Sequence, residues 1–177
     1  SLEQNPGSES LLFMKGIVLN DLDRDEESRE AMEEIIKISP RNGQALNFVA
    51  YHLAEKGNDL PRALELVTRA LQISPEDGYF LDTLGYLQLK LGQVEAAVES
   101  LSKAVSLTGE DVVIMDHYAD ALSAAGKRER AVEYYRSALD MARKSEKRDE
   151  NELVPELDRK LRELDRLLNQ PQSVAAQ

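Results

Sequence analysis

The chain of 177 residues has no cysteine and no tryptophan, and only 5% of its residues are aromatic. The lack of cysteine excludes disulfides, thiolate metal ligands and cysteine nucleophiles, although it leaves the compartment open because a disulfide-free protein can function anywhere. Few aromatic residues beside abundant Leu, Ala, Glu, Lys and Arg are typical of packed helices rather than of a β-sandwich. Since 42% of the residues are hydrophobic, the chain can bury a core. We therefore expect an all-α protein.

Positive charge is also scarce, because 22 Lys and Arg face 33 Asp and Glu and leave a net charge of −11. Such a surplus of negative charge repels the phosphate backbone of DNA and RNA. We expect no nucleic acid partner, and instead a partner with a basic or neutral protein surface.

Long apolar runs are missing as well. No stretch approaches the 18 consecutive apolar residues of a membrane span, so the sequence predicts no direct membrane insertion. The first residues, SLEQNPGSES, have neither a basic n-region nor an apolar h-region. Because the chain begins with Ser rather than Met, we expect it to be a processed segment or a part of a longer protein, whose signal peptide or lipid anchor would lie upstream.

What the chain does contain is an internal repeat of about 34 residues. The stretches NFVAYHLAEKG, LDTLGYLQLKLG and MDHYADALSAAG place Ala50, Gly85 and Ala119 in one column. Each of these three small residues is followed in its own stretch by a turn glycine, which is Gly57, Gly92 or Gly126. A more divergent first unit supplies Gly16 to the same column.

The second half of each unit repeats too, as in PRALELVTRALQISP, EAAVESLSKAVSLTG and ERAVEYYRSALDMAR. Apolar residues recur at helical spacing in both halves, which predicts one helical hairpin per unit. Proline or glycine between units ends one helix, and Asn or Asp can cap the next. The predicted helices are 9–22, 25–38, 43–56, 60–73, 78–91, 94–107, 111–125 and 128–147.

These residues resemble the tetratricopeptide repeat (TPR) family, whose signature is a small residue in the first helix, a turn glycine, two small residues in the second helix and a closing proline. The resemblance implies an α-α superhelix of about four hairpins, with units at about 9–42, 43–77, 78–111 and 112–147. The first unit departs from the pattern, with Ser28 and Ile35 where alanines are usual and Asp23 in place of the turn glycine. We expect this unit to pack less regularly.

The chain also looks like the C-terminal TPR segment of long bacterial repeat proteins, several of them exported or lipid-anchored. This resemblance implies that the chain is the end of a longer array. It also implies the bacterial envelope or periplasm as the compartment, with the cytoplasm as the alternative.

After polar residues 148–152, an amphipathic helix is predicted over 151–170, and its leucines fall on one stripe. We expect it to cap the last exposed face of the array. Two alternatives stay open: a coiled-coil or dimerisation arm, and a helix that folds into the array's own groove and blocks it. Residues 1–8 and 171–177 are predicted to be disordered.

Stacked hairpins place their first helices on a concave surface that binds peptides or proteins. In the TPR pattern Leu81, Leu84 and Gly85 enter the core, so Asp82 and Tyr86 share a face that points into the groove. Translating by one repeat gives the candidate groove residues Asn47, Tyr51, Tyr79, Asp82, Tyr86, Asp116, His117 and Asp120. Phe13, Ile17, Gln44 and Val113 flank them, and Lys90 is the one marginal cation.

TPR modules that hold the C-terminal carboxylate of chaperones use Lys, Arg and Asn in the groove, whereas this groove carries Asp82, Asp116 and Asp120. A carboxylate would be repelled here. We hypothesise a non-catalytic scaffold that binds a peptide or protein segment with Lys or Arg and apolar residues, the cation meeting the aspartates and the apolar part stacking on the tyrosines. Each residue also has a purely structural interpretation, in which tyrosines fill the inner curve and aspartates bond neighbouring groups.

A second hypothesis is a structural or assembly module that oligomerises through its surface or its C-terminal helix, and we expect a monomer or a weak dimer. Asp116, His117 and Asp120 could be drawn as a metal site or an acid–base pair. With two histidines in the chain and a groove open to water, we expect no enzyme activity, no cofactor and no metal. For the column glycine we expect Gly85→Leu to unfold the array by overpacking and Gly85→Ala to be mild.

Overall fold

The computed structural model describes residues 6–169, and this part of the chain contains ten helices and no β-strand. The helices are α1 Pro6–Asp21, α2 Asp25–Ile38, α3 Gly43–Lys56, α4 Leu60–Ile73, α5 Gly78–Lys90, α6 Val94–Thr108, α7 Val112–Ala124, α8 Arg128–Lys144, α9 Arg148–Glu152 and α10 Val154–Asn169.

The first eight helices pair in chain order into four hairpins, which stack through α2 and α3, α4 and α5, and α6 and α7. The first helices α3, α5 and α7 also contact one another in sequence. This arrangement confirms the predicted all-α solenoid. Helices 25–38, 43–56 and 60–73 agree with the structure at both ends.

The ends of the array differ from the prediction. Helix α1 begins at Pro6, so the segment 1–8 predicted to be disordered is too long, because proline fits the first turn of a helix, where its missing N–H has no partner anyway. The predicted break at 148–152 is the short helix α9. Residues 1–5 and the predicted tail 171–177 lie outside the described residues. No helix within 6–169 is long and apolar enough to cross a membrane.

The turn inside each hairpin needs a left-handed backbone. Gly57, Gly92 and Gly126 have φ of 68°, 73° and 73°, values that glycine adopts without steric cost. In the first unit Asp23 takes this place with φ of 56°, and Asp is one of the few other residues that tolerate the region. The turn therefore keeps its shape without the expected glycine.

The other irregular position of the first unit is Ser28, which is fully buried. Its hydroxyl donates a hydrogen bond of 2.7 Å to the carbonyl of Gly16 in the preceding helix. Because a buried hydroxyl is costly only when unpaired, this bond lets a polar residue stand where the repeat pattern favours alanine.

The linkers between hairpins supply side-chain caps at the N-termini of α3, α5 and α7. Asn42 accepts a hydrogen bond from the backbone N–H of Ala45, while Asp77 and Asp111 each accept two from the first turn of their helices. Such caps contribute about 1 kcal/mol each. The three caps recur with the repeat and lie at the same end of the first helices.

The hydrophobic core forms one cluster over α2 to α5, a second over α6 to α8 and a small third that joins α5, α6 and α7. Helix α10 adds Leu157 and Leu164 to the second cluster, and both are buried. By packing on α8, α10 covers the last apolar face of the array, as a capping helix does.

The column glycine of α5 marks the closest approach between the helices of its hairpin. A Cβ atom at Gly85 would lie 2.4 Å from Cγ of Leu101, and Leu101 is fully buried. Even alanine therefore requires Leu101 to move, so we expect Gly85→Ala to be less mild than the pattern of small residues predicts.

Candidate protein-binding groove

A cleft of about 610 Å³ opens on the concave side of the array. All of its lining comes from the first helices of the four hairpins and from two of the helix caps, and the second helices contribute nothing to it. The lining residues are Phe13, Ile17, Gln44, Asn47, Phe48, Tyr51, Asp77, Tyr79, Phe80, Asp82, Thr83, Asp111, Val113 and Ile114.

Half of the candidate groove residues, and the four flanking residues, lie in this cleft. Those found there are Asn47, Tyr51, Tyr79 and Asp82, with Phe13, Ile17, Gln44 and Val113. Sequence reasoning missed Phe48, Phe80, Thr83 and Ile114, which follow a predicted groove residue directly in the sequence. The sequence pattern predicted Asp in the turns between units only as a helix cap, whereas Asp77 and Asp111 also line the cleft.

The other four candidates contact residues of the same chain: Asp116 and His117 are buried, and Tyr86 and Asp120 are half-buried. The ring of Tyr86 stacks on His117 at 4.4 Å between centroids and meets the ring of Tyr51 at 5.8 Å. Lys90 Nζ lies 4.8 Å from the centre of the Tyr86 ring. The tyrosine ladder therefore continues out of the cleft into an internal stack.

Asp82 and His117 form a buried pair between α5 and α7. Nδ1 of His117 lies 2.9 Å and 3.1 Å from the two carboxylate oxygens of Asp82. His117 is only 7% exposed and Asp82 only 5%. Burial lowers the pKa of His117, but the carboxylate of Asp82 outweighs burial, so the pKa is raised. Although Asp82 lines the cleft, its negative charge is therefore balanced by His117 of the same chain.

Asp116 and Asp120 are held by the C-terminal helix. Lys160 of α10 donates from Nζ to both oxygens of Asp116 at 2.8 and 2.9 Å and to Asp120 at 2.8 Å. The hydroxyl of Tyr135 donates to the other oxygen of Asp120. Burial and the neighbouring Asp120 raise the pKa of Asp116, while Lys160 opposes that shift. The aspartates predicted to meet a partner's cation already hold one.

The two caps that line the cleft differ from these aspartates. Asp77 and Asp111 use Oδ1 to accept hydrogen bonds from backbone N–H groups. No Lys, Arg or His belongs to the described residues that line the cleft. The caps therefore give an aromatic and aliphatic cleft a negative rim.

Asn47 is the one described residue with a buried side-chain nitrogen or oxygen that lacks a hydrogen-bond partner, and the atom is Oδ1. An unsatisfied buried acceptor costs about 1–3 kcal/mol. Asn47 also belongs to the lining of the cleft.

Among the described residues no group of three or more His, Asp or Glu is placed to hold a metal ion. In particular, Asp116 and Asp120 face Lys160, and His117 faces Asp82. The arrangement is one of internal ion pairs rather than of convergent ligands.

The chain belongs to the tetratricopeptide repeat family, whose model matches residues 2–144. Proteins of this family are protein–protein interaction scaffolds and are typically non-catalytic.

Two relatives illustrate the range of the family. The TPR repeat-containing protein PA4667 of Pseudomonas aeruginosa is 26% identical over 104 residues, which are 59% of this chain and 18% of that protein. The human mitochondrial import receptor subunit TOM70 is 23% identical over 90 residues, which are 51% of this chain and 15% of TOM70. The chain spans less than a fifth of either relative.

A solved structure shows the same fold over nearly the whole chain. A chain of the APC/C hetero-tetramer Cut9–Hcn1 aligns with a TM-score of 0.79 and 18% identity, covering 93% of this chain and 31% of that one. At this identity the likeness concerns the fold alone.

Proposed function

We propose that this chain is a non-catalytic scaffold that binds an extended protein segment in the cleft between α1, α3, α5 and α7. The cleft itself carries this proposal: it is about 610 Å³ in volume and has an apolar, aromatic lining. A cavity of this size accepts one or two large side chains. A relative fits such a role, since the name of TOM70 describes an import receptor subunit.

The anchor of the segment is an apolar side chain. Tyr79 stands 59% exposed beside the cleft, and the rings of Phe13, Phe48 and Phe80 line it. Aromatic rings of this kind bury large apolar areas on binding at little cost in side-chain entropy. Asn47 adds a polar contact because its unpaired Oδ1 gains a hydrogen bond from the backbone of the segment.

The segment also carries Lys or Arg, and the carboxylates that meet this cation are Asp77 and Asp111. The sequence pattern pointed to Asp82, Asp116 and Asp120 for this contact. Their charges are matched by His117 and Lys160, whereas no Lys, Arg or His is among the described residues that line the cleft beside the two caps. The proposed partner is still a segment with basic and apolar residues, but its cation binds at the N-terminal ends of the first helices rather than at Asp82, Asp116 and Asp120.

The alternative of assembly through the C-terminal helix has less support. Leu157 and Leu164 of α10 are already buried in the core of the same chain. Among the described residues of α10, Leu167 and Leu168 remain as exposed large apolar side chains, which is less than the repeated apolar seam that a coiled-coil arm needs.

The test is a selection of random linear peptides displayed on phage against the wild-type protein, followed by titration calorimetry with the synthetic winners. We expect Lys or Arg beside a large apolar residue. The variant Asp77→Asn/Asp111→Asn should weaken binding about three- to tenfold, since two rim charges are lost, and added salt should weaken it further.

Asparagine caps a helix as well as aspartate does, so this variant removes charge without disturbing the helices. Asp59→Asn is the matched control, because Asp59 caps α4 through the same kind of contact and does not line the cleft. Tyr79→Ala should also weaken binding. Acidic winners, or peptides that bind the wild type, Tyr79→Ala and the double variant equally well, would contradict the proposal.

A further inference from the structure

One face of α1 exposes large apolar side chains. Leu11, Met14 and Val18 are 69%, 64% and 54% exposed. Their spacing places them on a single helix face, and Leu22, which follows the helix, is 59% exposed. Single exposed apolar residues are common on protein surfaces, but a contiguous stripe marks an interaction site.

The repeat shows what this face does elsewhere in the array. One, two and three units later, the position of Leu11 is taken by Ala45, Phe80 and Ile114, which are at most 5% exposed. The position of Val18 is taken by His52, Leu87 and Ala121, again at most 5% exposed. In the column of Met14, Thr83 and His117 are buried and Phe48 is half-buried.

In each column a contact shows that these positions face the preceding hairpin. The ring of Phe80 lies against α3, where a Cβ atom added at Gly43 would be 3.1 Å from it. His52 Nε2 lies 3.1 Å from Oδ1 of Asn20 in α1. His117 pairs with Asp82 of α5 at 2.9 Å.

We propose that the α1 face of Leu11, Met14 and Val18 is a further inter-hairpin interface and seats another helical hairpin of the same repeat. The stacks of α2 on α3, α4 on α5 and α6 on α7 continue across it. The opposite end of the array is already covered, because α10 packs on α8. No residue within 6–169 covers this apolar end of the array, whereas solenoids need a polar cap at each end.

A hairpin fits this face better than a second copy of the chain does. At its C-terminal end a second copy presents the outer side of α10, where Arg159, Arg162 and Glu163 are exposed and charged. Its N-terminal end offers only α1, one helix, whereas α5 and α7 each pack on both helices of the preceding hairpin.

The experiment extends the chain by its own second unit. A copy of residues 43–77 is joined directly before residue 9, which keeps the register because residue 9 stands one period before Gly43. If the added hairpin docks, the melting temperature should rise by about 5 °C or more. Oxidation of Met14 by peroxide should also slow markedly, while buried Met32 and Met115 serve as internal references.

The control is Leu11→Glu/Val18→Glu, made in the extended and in the unextended chain. In the extended chain the substitutions should abolish both the rise in melting temperature and the protection of Met14. In the unextended chain they should shift the melting temperature by no more than about 2 °C, since both side chains are exposed.

Three results would overturn the proposal. The first is an extended chain that melts in two separate steps and leaves Met14 as reactive as before. The second is an unextended chain that sediments as a dimer until Leu11→Glu/Val18→Glu makes it monomeric, because a second copy would then be the occupant. The third is unfolding of the unextended chain by these substitutions.

Discussion

The two halves of the concave surface are built from the same repeat and have opposite character. In the N-terminal half, α1 and α3, together with the N-terminal turns of α5 and α7, border an open cleft with an unpaired Asn47 oxygen. In the C-terminal half, Asp116 and Asp120 hold Lys160, and His117 holds Asp82. One half is an open cleft, while the other is filled by the chain's own charged side chains.

The contrast teaches that a repeat column does not assign a role. Asn47, Asp82 and Asp116 occupy equivalent positions, yet their surroundings are a cleft, a histidine of the next hairpin and a lysine of the capping helix. What stands opposite each side chain decides whether it binds a partner or stabilises the fold. The predictions below alter those opposite groups.

The largest effect should come from Lys160→Met, which removes the cation of the closed half. Asp116 and Asp120 would stay largely buried without a counter-charge, and breaking a buried ion pair costs about 3–5 kcal/mol. We expect the free energy of unfolding in urea to fall by about 3 kcal/mol, because Asp120 keeps some exposure.

Lys103→Met is the matched control, since Lys103 is exposed and its side chain should contribute little. When Asp116→Asn and Asp120→Asn are already present, Lys160→Met should lower the free energy of unfolding by less, because the effects of substitutions at interacting residues are not additive. Equal effects of Lys160→Met and Lys103→Met would show that the closed half is not held by this ion pair.

A smaller effect is expected when the close helix approach of the C-terminal half is given the side chains of the N-terminal half. Gly85 faces Leu101, whereas in the second unit Ala50 and Val67 hold the equivalent positions and both are fully buried. Gly85→Ala should cost about 1–2 kcal/mol, the overpacking being partly offset by better helix propensity.

Leu101→Val alone should cost about 1 kcal/mol through lost packing. The double variant should be at least as stable as Gly85→Ala, because the smaller valine makes room for the added methyl group. Thermal melts of the four proteins measure this coupling. Strictly additive losses would mean that the two positions do not share one space.

The smallest effect is a pH dependence of opposite sign in the two halves. His117 has a pKa raised above the usual 6.5 by Asp82 in spite of burial, so it stabilises the fold at low pH and loses that contribution as the pH rises through its folded-state pKa. His52, in the N-terminal half, has its pKa lowered by burial and costs stability as the pH falls below about 6.5.

Urea midpoints measured from mildly acidic to mildly basic pH would show both contributions. His117→Gln should destabilise more at acidic than at basic pH, and His52→Gln should do the reverse in relative terms. Parallel pH profiles for the wild type and His117→Gln would mean that the pKa of His117 is the same in the folded and the unfolded protein.

Local patterns made much of this protein predictable. The period, the helical spacing of apolar residues and the Asn or Asp before each first helix are short-range features, and they predicted the hairpins and their caps within a few residues. They also placed Asn47, Tyr51, Tyr79 and Asp82 on the surface that forms the cleft.

The rest depended on partners far away in the chain. Lys160 belongs to α10, which lies outside the repeat, so no column predicts that it reaches Asp116 and Asp120. Whether a methyl group at Gly85 would clash depends on the distance to Leu101, and a pattern of small residues in the sequence does not give that distance.

The sequence by itself determined a stack of four helical hairpins, because hydrophobic periodicity and capping act within one turn or one hairpin. Only the tertiary structure decided which part of the concave face is open, because that depends on how α10 lies across α8. The packing of α10 carries a lysine to two aspartates, and a charge that is met inside the protein is no longer offered to a partner.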